Sequence, residues 1–560
     1  MRTKKKKNKK KKNSSPFVIT QLTNIAGRLH MSMPGLALLI PMALSVMLIF
    51  LSYHGPLPIN GDDNYIYMNY AAMVHFSGIS SLAQGGVLST KYLLILGMAS
   101  MYAIFGPGVF AATVFESLCA VVAIFAIYKI GSEIYGKGVG LLAASLCSFF
   151  PLVVVEAAII GDDIPMMAAT SLAMMFFVLA IKRKNKMYYV LAGFVATLGE
   201  LIVAESLIII IPMVAIWAYL AARGRIESKL KSAASFASGI SVAVFIIIFF
   251  SYLASGNPFY SVTVSEHWYS TYGAATVPYL INGMEYYLST MLPFNQFFGY
   301  YGHTSAQGVS FFGGLIMPNY ISSIVSSRTD FFLYGYFFYA AIAAIIYLAI
   351  KIERRAFIPL VWFAFSFLYL VFGSQSLSAY IQINQFTRFT AIFVPALTLL
   401  IAMALVKAYS ALKKRHRAVS ISFVVVVVAV LFAESIFLIS YMSNSMSHSP
   451  IAIFTRGIAA YMETLPNGTI ISVPGAFTLL LPPYMNYHRI NFEAPVRHHS
   501  LPNNPIPQYV VMAYNGNQSI IKNASELAYK PINSSISNTS LMYEYNLPAE
   551  NQNISVYRIK

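Results

Sequence analysis

Runs of about 18 or more apolar residues recur along most of this 560-residue chain, each long enough to cross a bilayer as a helix. Inside lipid no water is present to take up backbone N–H and C=O groups, so each run must satisfy them within itself. The chain is therefore expected to be an all-α polytopic membrane protein. Eleven spans are predicted, over residues 33–52, 108–130, 138–157, 164–181, 188–201, 203–221, 233–253, 331–350, 356–372, 389–406 and 418–440. Charged residues make up 10% of the chain, against about 25% in a soluble domain. The two cysteines, Cys119 and Cys147, both fall inside apolar runs, which excludes a disulfide framework or a thiolate metal site.

The net charge is +18, and its distribution argues for membrane topology, with no nucleic-acid partner expected. Ten of the 38 Lys and Arg precede the first span, in a tail that is too basic and lacks the cleavage site of a signal peptide. With that tail, residues 1–32, placed in the cytoplasm, 28 of the 38 basic residues lie inside and Lys91, Arg328 and Arg388 lie in outer loops. The apolar stretch 91–106 would invert this pattern if it spanned. It is expected instead as an interfacial or re-entrant helix.

Beyond the transmembrane region, residues 33–441, the composition becomes polar. Residues 442–560 carry short β-like runs ("GTIISV", "YVVMAY", "LMYEYNL", "ISVYRIK") after a helical "IAAYMETL", the pattern of a small α/β domain. Six Asn-x-Ser/Thr sequons, at Asn467, Asn517, Asn523, Asn533, Asn538 and Asn553, point to an extracellular position.

Acids are concentrated in two places. Of five aspartates, four stand in two Gly-Asp-Asp tripeptides, "NGDDNYIYMNYA" with Asp62 and Asp63 and "IIGDDIPMMA" with Asp162 and Asp163. Both fall at the outer ends of spans. The plain reading is that they are solvated or cap helices, and Asp-Ile-Pro resembles a helix start that Asp163 would cap. Four carboxylates meeting on one face would repel one another unless a cation or an acceptor hydroxyl joined them, which is more typical of a site. A carboxylate there can act as general base toward a hydroxyl, with nearby cations holding a phosphate. Lys91, Arg328 and Arg388 are the outer-loop candidates; their alternative is snorkelling at the interface. Glu116, Glu200 and Glu205 lie within or near spans, the last two at the outer turn of a short hairpin.

The order of these motifs is specific. Acids with tyrosines come first, then Lys91 before an apolar stretch ending in "FG", then "IYKIGSEIYG", "GDDIPMMA", "SGNPFY" and "QFTRFTAIFVPAL". This order resembles the GT-C superfamily of membrane glycosyltransferases. It is similar in particular to the protein O-mannosyltransferases, the aminoarabinose transferases of lipid A and their archaeal relatives. The resemblance implies a GT-C-like fold and an inverting transfer of sugar from a polyprenyl (dolichyl) phosphate donor to a hydroxyl of a glycan, lipid or protein on the outer face. It implies that Asp62 is the catalytic base, with Asp63 beside it, Asp163 the second acid and Asp162 an extra carboxylate. Lys91 and Arg388 would meet the donor phosphate, although Tyr92 and Leu93 replace the prolines that follow this lysine in relatives, and Phe389 replaces a tyrosine. Tyr65, Tyr67 and His267 are further substrate-binding candidates, and the loop 256–330, with Glu285 and His303, would line the sugar site. The residues require no particular cofactor; Asp62 and Asp163 are the carboxylates that would hold Mg²⁺ or Mn²⁺.

Two other readings compete. An oligosaccharyltransferase would need a Trp-Trp-Asp-Tyr-Gly signature in its soluble domain, and Trp217, Trp268 and Trp362 all precede that region. A secondary transporter would place its acids near the midplane of repeated halves, and no such repeat is present. The topology makes its own prediction: protease added to intact cells should digest the chain from about Ser443 onward. Cleavage only after lysis would overturn the sidedness of both acid motifs.

Overall fold

The computed structural model describes residues 33–52, 63–84, 86–226, 228–268, 336–372, 387–414 and 416–447, and five strands between 469 and 559. The basic tail, Asp62, Glu285, His303, Arg328 and the helix expected at 458–465 lie outside the described residues.

Fifteen helices are described here: α1 Met33–Ser52, α2 Asp63–Ser77, α3 Tyr92–Phe105, α4 Val109–Tyr135, α5 Lys137–Ser148, α6 Pro151–Ile159, α7 Asp163–Arg183, α8 Lys186–Leu198, α9 Ile210–Ala222, α10 Lys229–Ser255, α11 Tyr260–Trp268, α12 Tyr336–Ile350, α13 Phe357–Phe372, α14 Val394–Lys413 and α15 Arg417–Ser447. Helix lies over each of the eleven predicted segments, but their lengths differ from the expectation. Among the described residues six are long and apolar enough to cross a membrane unaided, or seven if one bent pair counts as a span. That pair is α5 and α6, which meet at 49°. Pro151 stands at the first turn of α6, where it has no N–H to continue the preceding ladder. Helix α3 covers the stretch expected to lie in the interface or re-enter. Its 14 residues reach about 21 Å at 1.5 Å each, short of a hydrocarbon core of roughly 30 Å.

Helices α4, α5, α7 and α14 form the centre of the larger core, where Ile127, Ala143, Met174 and Leu400 have no exposed surface. A smaller cluster joins α2 and α3 through Tyr67, Met68, Tyr92 and Met98, and also takes in Ile160. At the periphery, α10 and α15 leave Phe245, Phe249, Val425 and Phe437 exposed. Helices apolar on every face belong in lipid, and this is a multi-pass membrane protein.

Helices α8 and α10 cross at two glycines. A Cβ on Gly239 would lie 2.0 Å from the Val190 carbonyl oxygen, and one on Gly193 would lie 2.2 Å from that of Phe236. Small residues that admit close backbone approach are a main source of association between helices in lipid, where no hydrophobic drive separates helix from solvent.

The polar C-terminal region contributes a five-stranded mixed sheet of order β2-β1-β3-β5-β4. The strands are β1 Thr469–Ser472, β2 Ile490–Glu493, β3 Tyr509–Asn515, β4 Thr539–Leu547 and β5 Gln552–Ile559. β1 runs parallel to β2 and β3, while β5 runs antiparallel to β3 and β4. Four strands fall on the runs expected from sequence; β2 was not among them.

The α8–α10 crossing carries a direct test. Gly239→Leu should lower the thermal midpoint in detergent by an amount matching roughly 1–3 kcal/mol of overpacking. Gly138→Ala, where an added Cβ meets nothing within 4 Å, should leave the midpoint unchanged.

Candidate active site

The second acid motif sits at the break between α6 and α7. Helix α6 ends at Ile159, and Ile160, a fully buried β-branched residue, adopts φ 68°. A positive φ at such a residue is strained and persists only where surrounding packing imposes it. Gly161 follows, then Asp162 at the N-cap of α7 and Asp163 as its first residue. The expectation that Asp163 caps the helix is therefore corrected: Asp162 holds the cap position, and its carbonyl accepts the Met166 N–H at 2.9 Å. Its carboxylate makes no capping bond. It is directed elsewhere.

The Asp162 carboxylate is ion-paired with Lys91, the N-cap residue of α3. Lys91 Nζ also donates to the Tyr67 hydroxyl at 2.5 Å, and Tyr67 donates to Asp162 Oδ2 at 3.3 Å. The ammonium lies 4.8 Å from the centre of the Tyr67 ring. Tyr67 stands on α2 one turn after Asp63. The two Gly-Asp-Asp motifs are thus tied together by a tyrosine from the first and an aspartate from the second, with Lys91 between them. Asp162, expected as an extra carboxylate, is the partner of the lysine.

The electrostatics follow from position. A cation at a helix N-terminus opposes the macrodipole, whereas an anion there is favoured. Asp162 offsets the cost at the start of α3 and gains from the start of α7. Asp162 and Asp163 are 4% and 2% exposed. Fully buried Glu116, on α4, faces the Gly161 backbone and lies within electrostatic reach of Asp162, Asp163 and Glu156. Glu156 of α6 is itself buried. Sequence reasoning did not assign Glu116 or Glu156 to this site, since each is a lone acid in an apolar run whose neighbours are set by tertiary packing. Also on α2, Tyr70 has its phenol pushed up to about 12 by burial, with Tyr260 adding to the shift, so it is a neutral donor.

The remaining candidates are less gathered. Asp63 begins α2 and Tyr65 lies in its first turn. Arg388 belongs to a 3₁₀ segment, Thr387–Phe393, that packs against α6 and α7. The side chains of Asp63, Tyr65 and Arg388 lie outside the described residues, as does Asp62. His267 is exposed on α11. That helix is fastened to the hairpin between α8 and α9 by Ser261, which donates to Glu200 Oε1 at 2.9 Å. Glu205 is buried further along the same hairpin. Among the described residues no group of three or more His, Cys, Asp or Glu has the arrangement to hold a metal ion. The divalent-cation site considered from sequence pairs Asp163 with Asp62, which lies outside the described residues.

The Lys91–Asp162 pair makes a stability prediction. Lys91→Met should cost roughly 2 kcal/mol, less than a fully buried pair because the lysine keeps some solvent contact. Adding Asp162→Asn should recover part of that loss. Strictly additive losses in thermal unfolding would show the two residues to be uncoupled.

Residues 88–253 match the family model described as dolichyl-phosphate-mannose-protein mannosyltransferase. No curated protein matches the chain in sequence. Among solved structures, ArnT from Cupriavidus metallidurans bound to undecaprenyl phosphate is similar at 13% identity and TM-score 0.51, covering 92% of this chain and 97% of that one. The apo oligosaccharyltransferase of Archaeoglobus fulgidus is similar at 14% identity and TM-score 0.51, over 92% of this chain and 73% of that one. In its complex with Zn and sulfate the same enzyme gives 15% identity and TM-score 0.48 over 81% of this chain, which spans 62% of its length. The matched segment holds Lys91, Asp162 and Asp163, and the likeness of fold extends over nearly the whole chain. Together these findings give the chain a GT-C-like fold, with residues 88–253 similar in sequence to a mannosyltransferase family.

Proposed function

We propose that the protein is an inverting glycosyltransferase that moves a sugar from a polyprenyl (dolichyl) phosphate donor to an acceptor hydroxyl at the outer membrane face. The observation that carries this reading is Lys91. It is a largely buried ammonium at the junction of the two acid motifs, inside the segment that matches a mannosyltransferase family. The fold relative ArnT has undecaprenyl phosphate bound, and a lysine of this kind is suited to a lipid phosphate.

In the proposed reaction Asp62 takes the proton of the acceptor hydroxyl while its oxygen attacks the anomeric carbon. The bond from that carbon to the phosphate oxygen breaks on the opposite face, and the leaving polyprenyl phosphate carries away the electron pair. Lys91 and Arg388 stabilise the charge that develops on it. An ammonium has three N–H donors, of which Asp162 and Tyr67 take two, so the third is available to a phosphate oxygen. The exposed apolar faces of the bundle suit the isoprenoid tail of the donor. Mutual approach of attacking and departing groups in a site walled by α2, α3 and α7 would supply the orientation that such a transfer needs. The likeness to an oligosaccharyltransferase favours a second reading, transfer of a larger glycan from the same class of lipid carrier.

Mass spectrometry of glycans from a deletion strain, followed by release of that sugar from a labelled polyprenyl phosphate by the purified protein, tests the proposal. Uptake into liposomes without sugar transfer would point to a transporter and overturn it. Asp62→Asn should lose about a hundredfold to ten-thousandfold in rate, as expected for a general base. It should still bind donor. Near wild-type turnover would exclude Asp62 as the base and make Asp63 the next candidate. Arg388→Gln should weaken use of donor without lowering the amount of folded protein, and unchanged donor use would return Arg388 to the interface.

A further inference from the structure

Lys91 is not a free phosphate ligand. It is already held by an acid, and that has a consequence for what leaves the site. We infer that Asp162 is a positioning residue for product release: its charge beside Lys91 weakens the binding of polyprenyl phosphate more than the binding of the sugar-bearing donor. The inference rests on the reading of Lys91 as the donor-phosphate ligand.

The argument turns on charge. The donor is a phosphodiester with a single negative charge. The product is a phosphomonoester whose second ionisation lies near pH 6, so at neutral pH it approaches two charges. Lys91 alone, buried against apolar walls, would bind the dianion far better than the monoanion, because Coulomb energy scales with the product of the charges and is little screened there. Such an enzyme would be trapped by its own product. Asp162, in direct contact with the ammonium and only 4% exposed, opposes that preference. Its repulsion doubles as the phosphate goes from monoanion to dianion. The ammonium keeps enough attraction to orient the donor through its remaining N–H, while the dianion is expelled. Tyr67, bonded to both partners, keeps Lys91 and Asp162 in register and adds no charge.

The experiment compares two lipids, a polyprenyl phosphate and its methyl phosphodiester, binding to the full chain in nanodiscs with chelator present. Neither lipid requires the sugar to be known. With Asp162→Asn the monoester should bind about tenfold tighter at pH 8 and the diester no more than about threefold, within the usual range of coupling between neighbouring groups. The extra gain for the monoester should shrink toward pH 5, where it loses its second charge. Asp162→Glu, which restores the charge, should return the monoester to near wild-type affinity. Equal changes for the two lipids, or weaker monoester binding in Asp162→Asn with an unchanged thermal midpoint, would overturn the inference. Lys91→Gln separates it from the underlying reading. If that variant binds both lipids as wild type does, Lys91 is not the phosphate ligand. If it weakens both and Asp162→Asn shows no preference, only the role of Asp162 fails.

Discussion

A lysine and an aspartate, each at the N-terminal end of its own helix, are largely removed from water against one another, and much of the surrounding helix packing is arranged to make this tolerable. A buried charge without a partner costs several kcal/mol, so neither residue can move away alone. The consequence is mechanical. Tyr67 fixes α2, Lys91 fixes the start of α3 and Asp162 fixes the start of α7, so three segments far apart in sequence converge on one carboxylate. The apolar cluster of Tyr67, Tyr92, Met98 and Ile160 closes over this contact and keeps the local dielectric low.

The reversal before α7 serves the same contact. A helix could continue straight from α6 into α7, but the Ile160 backbone turns it, and the strain is held by complete burial of the side chain. Asp162 then caps α7 with its carbonyl alone, which leaves its carboxylate to cross to another helix. Residues in unusual backbone conformations often cluster where side-chain placement matters more than local stability. The bend at Pro151 shortens α6 to nine residues and sets the reversal within a short distance of α4, bringing Glu116 to the Gly161 backbone.

Much of the helical architecture was legible in the sequence because an apolar run carries its own length and needs no partner to be recognised. What was not legible depended on neighbours. Helix α8 and its partner α9 are shorter than the runs that predicted them, because Gly199 to Ile209 winds as 3₁₀ turns around two acids. The kink at Pro151 could have been read from the proline itself. Asp162 was read as an extra carboxylate and substrate-binding candidate; its pairing with a lysine 71 positions earlier is a contact that no local pattern encodes. Glu116 and Glu156 were passed over or discounted for the same reason. Strand β2, four residues of "INFE", is too short to stand out by alternation and exists through its pairing with β1.

The position of the charged groups along their helices bears on what kind of machine this is. A carrier that couples ion movement to transport holds its acids midway along broken helices, so that access can alternate around a fixed point. Here Lys91 precedes the first turn of α3, Asp162 and Asp163 open α7, and Tyr67 lies in the second turn of α2. All of them belong to helix beginnings gathered at one place, where positive ends of helix dipoles converge on anions. Such an arrangement attracts negative charge, whereas the larger core that holds Ile127, Ala143 and Met174 is apolar and buried. A largely buried ammonium at such a junction, held by a carboxylate, accords with the proposed handling of a lipid phosphate better than with ion coupling.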